Sequence, residues 1–316
     1  MFHFYLSITY LINIQFTILL QQFVPCSVDS TAKILKIIEC PRDAMQGLHE
    51  FIPTASKIKY INQLLKVGFE TIDFGSFVSP KAIPQMKDTA DVLKGLDLEE
   101  GHTKLLAIVA NLRGANDASQ FEEITYLGYP FSISETFQRR NTNATIEESF
   151  DRVKDIQEIC LRANKKLVVY LSMGFGNPYG DPWNVEICQA WVDKLANEGI
   201  KIIALSDTIG VANPQNIKYL FKNLIPPYPD VEFGSHFHTR PDEWEEKVQA
   251  AYESGCYRFD GAIKGYGGCP MAKDDLTGNM PTENLIKYFR KSVESQGLSI
   301  SAFEEAMELA LKIFPI

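Results

Sequence analysis

The stretch Lys166–Asp207, "KLVVYLSMGFGNPYGDPWNVEICQAWVDKLANEGIKIIALSD", decides the fold. A β-rich run, Lys166–Met173, is followed by Val185–Gly199, whose apolar residues recur at helical spacing, and then by a second β-rich run, Ile200–Asp207. The same alternation runs outward in both directions. Upstream lie "ILKIIEC" (Ile34–Cys40), the helical "TASKIKYINQLLKVG" (Thr54–Gly68), "FETIDFGS" (Phe69–Ser76), "KLLAIVA" (Lys104–Ala110), "PFSISE" (Pro130–Glu135) and the helical Ile146–Asn164. Thr54 is placed to cap its helix and Gly68 to stop it. Downstream come "NIKYLFKNLI" (Asn216–Ile225), "VEFGSHFH" (Val231–His238), "EWEEKVQAAYESG" (Glu243–Gly255) and "YRFDGAI" (Tyr257–Ile263). Eight strands are thus expected, starting near Ile34, Glu70, Lys104, Pro130, Leu167, Ile200, Val231 and Tyr257. That regularity predicts an α/β protein of the (β/α)8 barrel type with a C-terminal helical extension, since a doubly wound sheet would need fewer strands or a further domain.

The 316 residues suffice for one such barrel, and 45% hydrophobic with 22% charged residues is the balance of a globular protein. A net charge of −9 argues against a nucleic-acid footprint. "CPRDAMQG" (Cys40–Gly47), after the first strand, matches neither a dinucleotide fingerprint nor a P-loop. The six cysteines form no C-x-x-C pair, which suggests reduced thiols in a reducing compartment, and a cytoplasmic location is expected. Residues 1–32 stand apart as an apolar N-terminal segment, "FYLSITYLINIQFTILLQQFVP" being uncharged. It reads either as an appended stretch without catalytic meaning or as a signal or membrane anchor, and membrane contact is expected only in the second case. Residues 33–316 form the expected barrel domain, including its C-terminal helices.

In a barrel, chemistry gathers where the strands run out at their C-terminal ends. The first strand ends in Arg42 and Asp43, the second in Asp73 and Ser76, the sixth in Asp207 and Thr208, and the seventh in His236 and His238. The two histidines are one residue apart on a strand, so they face the same side. A glycine-rich loop holding Cys269, Asp275 and Asn279 follows the eighth. Asp43 offers an anionic oxygen, His236 and His238 imidazoles, and Asn279 an amide oxygen, a mixed set that suits Mg²⁺ or Mn²⁺ better than a structural Zn²⁺.

Five segments in order, "IIECPRDAMQG", "SFVSPKAIPQM", "ALSDTIGVANP", "SHFH" and "GYGGCPMAKDDLTGNMPTE", resemble the motifs of the 3-hydroxy-3-methylglutaryl-CoA (HMG-CoA) lyase family of metal-dependent TIM barrels. The likeness runs from about Lys33 to Phe289, and the "SFVSPK" and "GGCP" loops are characteristic of the lyase branch. It implies cleavage of an acyl-CoA thioester, HMG-CoA, to acetyl-CoA and acetoacetate, as in leucine degradation and ketone-body metabolism, by a homodimer. It also implies that Asp43, His236, His238 and Asn279 bind the divalent cation, that Arg42 is catalytic, and that Cys269 exchanges a proton from a mobile loop. Asp43 and His236 are then candidates to assist proton removal, and Asp207 and Ser76 to support the ligands. The chain departs from the pattern at Thr239, where a carboxylate is expected, and at Asp73, where a glutamate is expected. These departures bear on ligand support and substrate positioning. The alternatives are a condensing synthase or a lyase for another 3-hydroxyacyl-CoA or 4-hydroxy-2-oxo acid on the same barrel, and a binding barrel without activity.

Overall fold

A computed structural model describes residues 34–99, 101–268 and 277–314. The expected N-terminal segment, Cys269 and Asp275 lie outside the described residues. Leu35 onward forms one compact unit. Its eight parallel strands are β1 (Lys36–Glu39), β2 (Thr71–Ser76), β3 (Lys104–Ile108), β4 (Ile124–Ser132), β5 (Lys166–Ser172), β6 (Ile202–Asp207), β7 (Glu232–Thr239) and β8 (Arg258–Gly261). Each pairs with the next in sequence, and β8 pairs back to β1 through Lys36↔Arg258 to Glu39↔Gly261, so the barrel is closed. A two-residue strand, β9 (Gly278–Asn279), adds antiparallel to β7.

Strand alternation sorts the apolar side chains into two bodies. Leu106, Ile108, Tyr126, Val168, Tyr170, Ile202 and Ala204 pack together inside the barrel. The intervening residues, such as Leu105, Ala107, Val169 and Ile203, belong to the larger core between barrel and helices. The helix Ile146–Arg162 shows what holds that layer. Thr145 and Glu148 close a capping box at its start. Three of its aliphatic side chains, Val153, Ile156 and Ile159, are buried. At about 2 kcal/mol each they outweigh the roughly 1 kcal/mol of a cap, so packing dominates.

The strand count agrees with the sequence reading, but two local expectations are corrected. β4 starts at Ile124 rather than near Pro130. Gly128 and Pro130 break the β-rich pattern, yet Gly128 is there because a Cβ would meet Ile108 Cδ1 at 2.5 Å inside the barrel. Thr54 is not a cap: Pro53 holds that position, and the Thr54 hydroxyl donates to Asp88 Oδ2 at 2.8 Å. Gly68 takes the positive φ of 83° expected of a stop, three residues beyond the helix end. After the barrel, helices Thr282–Tyr288, Arg290–Ser295 and Ile300–Ile313 form the C-terminal extension. Among the described residues no helix is long and apolar enough to cross a membrane.

Candidate active site

The short helix Pro41–Gln46 begins directly after β1, and Pro41 at its start supplies a preset φ where no backbone donor is needed. Arg42 and Asp43 in its first turn are thereby swung over the C-terminal mouth of the barrel. The loop after β8 packs on this helix so closely that a Cβ on Gly267 would lie 2.5 Å from the Asp43 carbonyl oxygen, and Gly267 has φ +82°. Only glycine fits that approach.

β7 delivers the two histidines. Asp43, His236 and His238 each offer a ligand atom, all within 4.8 Å of one another. His236 Nε2 lies 3.7 Å from Asp43 Oδ2, while its Nδ1 is held by Asp260 Oδ2 at 3.2 Å. His238 Nδ1 bonds the Thr208 carbonyl at 3.0 Å, and its Nε2 is buried with no hydrogen-bond partner among the described residues. An imidazole tied at Nδ1 presents Nε2 as a lone-pair donor, so this orphaned atom fits a metal ion. β9 brings Asn279 opposite His238 in register. Its amide nitrogen donates to the Tyr266 carbonyl at 2.8 Å, leaving the amide oxygen available, and the side chain hydrogen-bonds with Asp43. The residues present therefore fit a hard divalent cation with mixed oxygen and nitrogen donors.

Asp73 grips Arg42: Nε donates to Oδ2 at 3.0 Å and Nη2 to the same oxygen at 2.5 Å. Nη1 donates to Asp43 Oδ1 at 2.9 Å. The carboxylate at 73 thus orients the arginine. Of five guanidinium hydrogens, one on each terminal nitrogen has no partner among the described residues, and Arg42 lines the cavity.

The electrostatics separate these groups. Burial works against the Asp43 charge, but Arg42, His236 and His238 hold its carboxyl below the ordinary range. Burial raises Asp73 to about 6 despite Arg42. Burial, then the neighbouring His236, lowers His238 to about 4, so it is a neutral imidazole. Burial disfavours charge on His236, yet the hydrogen bond and charge of Asp260 raise it overall.

A cavity of about 940 Å³ opens above this cluster. Its wall includes Arg42, Asp43, His236 and His238, and also Arg113, Arg140 and Arg152 from the segments after β3 and β4. Nearby, Arg139 instead pairs with Glu135 at 2.7 Å, and Lys81 is exposed. Asp207 is buried but stands back from the cluster: Oδ1 accepts from the Val211 and Ala212 amides and Oδ2 from Lys247. Ser76 ends β2, with its amide donating to Thr89 Oγ1 at 3.2 Å, and does not line the cavity.

Three contributors went unread in the sequence. Asp260 is an acidic residue inside the apolar run "YRFDGAI", and Tyr170 sits edge-on to His236 with its ring centroid 5.5 Å away. Lys247 occupies the apolar stripe of its helix, three after Trp244 and four before Ala251.

A family model described as HMGL-like matches residues 35–309. A hydroxymethylglutaryl-CoA lyase of Bacillus subtilis is 36% identical over 78% of this chain and 81% of its own length. The mitochondrial hydroxymethylglutaryl-CoA lyase of Mus musculus is 33% identical over 82% of this chain and 79% of its own length. The solved structure of an HMG-CoA lyase from Acinetobacter baumannii, in complex with coenzyme A and 3-methylmalate, superposes with a TM-score of 0.79 at 31% identity, covering 89% of this chain and 91% of that one.

Proposed function

Because the chain belongs to the HMGL-like family, we propose that it is a carbon–carbon lyase that cleaves 3-hydroxy-3-methylglutaryl-CoA to acetyl-CoA and acetoacetate. The single observation that carries this reading is the convergence of Asp43, His236 and His238, with the His238 Nε2 buried and unpartnered, beside a guanidinium on one cavity wall. Asp43, His236, His238 and Asn279 would hold one Mg²⁺ or Mn²⁺. When bound, such an ion supplies Lewis acidity that lowers the pKa of a coordinated hydroxyl.

The residues divide the remaining work. Asp43, kept ionised by Arg42, accepts the proton of the C3 hydroxyl; it is a weak base, and it suffices only for an acidified alcohol. The C2–C3 bond then breaks, C3 becomes the ketone of acetoacetate, and the electron pair passes to the thioester as an enolate. The remaining N–H groups of Arg42 stabilise the enolate oxygen, and Asp73 keeps them aimed by taking the Nε hydrogen and one on Nη2. Protonation at C2 completes acetyl-CoA, and Cys269 is our candidate donor. Asp260 orients His236, and Asp207 and Ser76 act at a distance from the reacting atoms, through the β6 and β2 ends.

Arg113, Arg140 and Arg152 suit the phosphates of a coenzyme A thioester. We further propose residues 33–316 as the lyase domain, a homodimer, and a cytoplasmic location. The location is supported by the free, buried thiols of Cys40, Cys160, Cys188 and Cys256. The test is to incubate the purified chain with the thioester and Mg²⁺ or Mn²⁺ and follow both products. Equimolar acetoacetate and acetyl-CoA are expected. No products with this thioester, but turnover with another 3-hydroxyacyl-CoA, would reassign the substrate.

A further inference from the structure

Lys247 lies on the helix Trp244–Glu253 with its side chain only 1% exposed, an unusual place for an ammonium group. Its three donors meet three acceptors: Asp207 Oδ2 at 3.0 Å, the His238 carbonyl at 2.9 Å and the Gly210 carbonyl at 3.3 Å. The pairing of β6 with β7 ends at Asp207↔Phe237, one residue short of His238. Lys247 therefore continues by side chain a connection that the ladder drops. The turn it grips is the one whose Thr208 carbonyl binds His238 Nδ1 at 3.0 Å, and that turn is fixed in turn by Met173, whose amide donates to Thr208 Oγ1 at 2.8 Å. Ring and backbone of His238 are thus both referred to the same turn. The neighbouring Thr239, where the family resemblance leads one to expect a carboxylate, spends its hydroxyl on the Arg240 carbonyl at 2.9 Å. It gives His238 no such support.

We infer that Lys247 is a positioning residue for the ion site, its ammonium tying the His238 carbonyl to the Asp207–Gly210 turn so that His238 Nε2 stays aimed at Asp43 and His236. The support that the chain lacks at position 239 comes instead from the following helix. This inference rests on the reading of Asp43, His236 and His238 as ligands. Partners of metal-bound histidines typically change metal affinity by about 10–100-fold when lost.

Removing Lys247 alone would strand a buried carboxylate, so the test uses the double variant Lys247→Met with Asp207→Asn. Manganese binding to chelator-stripped full-length protein is measured by electron paramagnetic resonance, and thermal unfolding is followed without metal. The expected result is a cooperative metal-free transition near that of the wild type and a dissociation constant for Mn²⁺ raised about 10-fold or more. With Mn²⁺ saturating, kcat should recover while KM for the thioester stays unchanged, a split that a merely structural lysine would not produce. Lys247→Gln, which keeps two of the three N–H donors without the charge, covers the case in which the double variant does not fold; a smaller loss of Mn²⁺ affinity is expected. An unchanged Mn²⁺ constant in the folded variant, with normal binding by the wild type, would overturn this inference alone. No Mn²⁺ binding by the wild type would overturn the ligand reading and this inference with it.

Discussion

The two ends of the barrel both gather charged side chains, and they use them in opposite ways. At the N-terminal end the charges pair with one another: Glu70 takes Lys104 at 2.6 Å, Glu232 takes Lys36 and Arg258, and Arg258 reaches Glu70 at 3.9 Å, with its Nε and Nη2 buried and unpartnered among the described residues. At the C-terminal end the partners are turned outward. Asp260 and the Thr208 carbonyl hold the far nitrogens of His236 and His238, and Asp73 holds the back of Arg42, so Nε2 atoms and N–H groups face a cavity. Charges paired with one another stabilise; a network left open toward a cavity is built to receive something. The difference lies in where the bonds point rather than in how many charges there are.

The open end is the more sensitive of the two to substitution. Asp43→Ala or His236→Ala should lower kcat/KM by about a thousandfold or more and weaken Mn²⁺ binding, because several kcal/mol of charge stabilisation depend on those ligands. Turnover at normal rates in chelated buffer would remove the metal from the reaction. Arg42→Gln should cost about 10²–10³-fold, mainly in kcat, since the guanidinium acts on charge that develops as the bond breaks; steady-state kinetics with a changed KM and an intact kcat would contradict that role.

Glu39 sharpens the contrast from within the catalytic end. It is fully buried, accepts from Thr282 Oγ1 and the Ile263 amide, and burial raises its carboxyl to about 8. The folded chain then keeps a proton that the unfolded chain releases between pH about 4.5 and 8, so stability falls as pH rises through that window. Glu39→Gln cannot ionise and should flatten this slope by a few kcal/mol across the window, read as melting temperature against pH; parallel curves would show that Glu39 keeps its ordinary pKa. The smallest effect belongs to the N-terminal end. Glu70→Gln should lower stability by about 1 kcal/mol and leave kcat/KM within twofold, and a large loss of activity would mean that the lower network reaches the site.

The eight strands were legible because their apolar runs alternate with helical spacing over most of the chain. The start of β4 was not, because Gly128 answers to the crowding of Ile108, its partner on the adjacent strand β3, and that register is not written in any local pattern. Asp43, His236 and His238 could be named from strand ends and spacing, and the structure brings all three together. Asn279 reaches them by pairing β9 with β7, a contact that depends on register. Asp260 and Lys247 escaped notice for a shared reason: each bonds a partner on a different strand or turn, and a single charged residue in an amphipathic segment reads as a solvated one until its partner is known.

The most direct test of the central claim, that Asp43 and the two β7 histidines hold one ion at the mouth of the barrel, is pulsed electron paramagnetic resonance of Mn²⁺ bound to the chelator-stripped chain. We expect one ion per chain with couplings to two imidazole nitrogens, one of them lost in His238→Ala. Manganese bound without nitrogen coupling, or cleavage that proceeds at full rate with none bound, would contradict it.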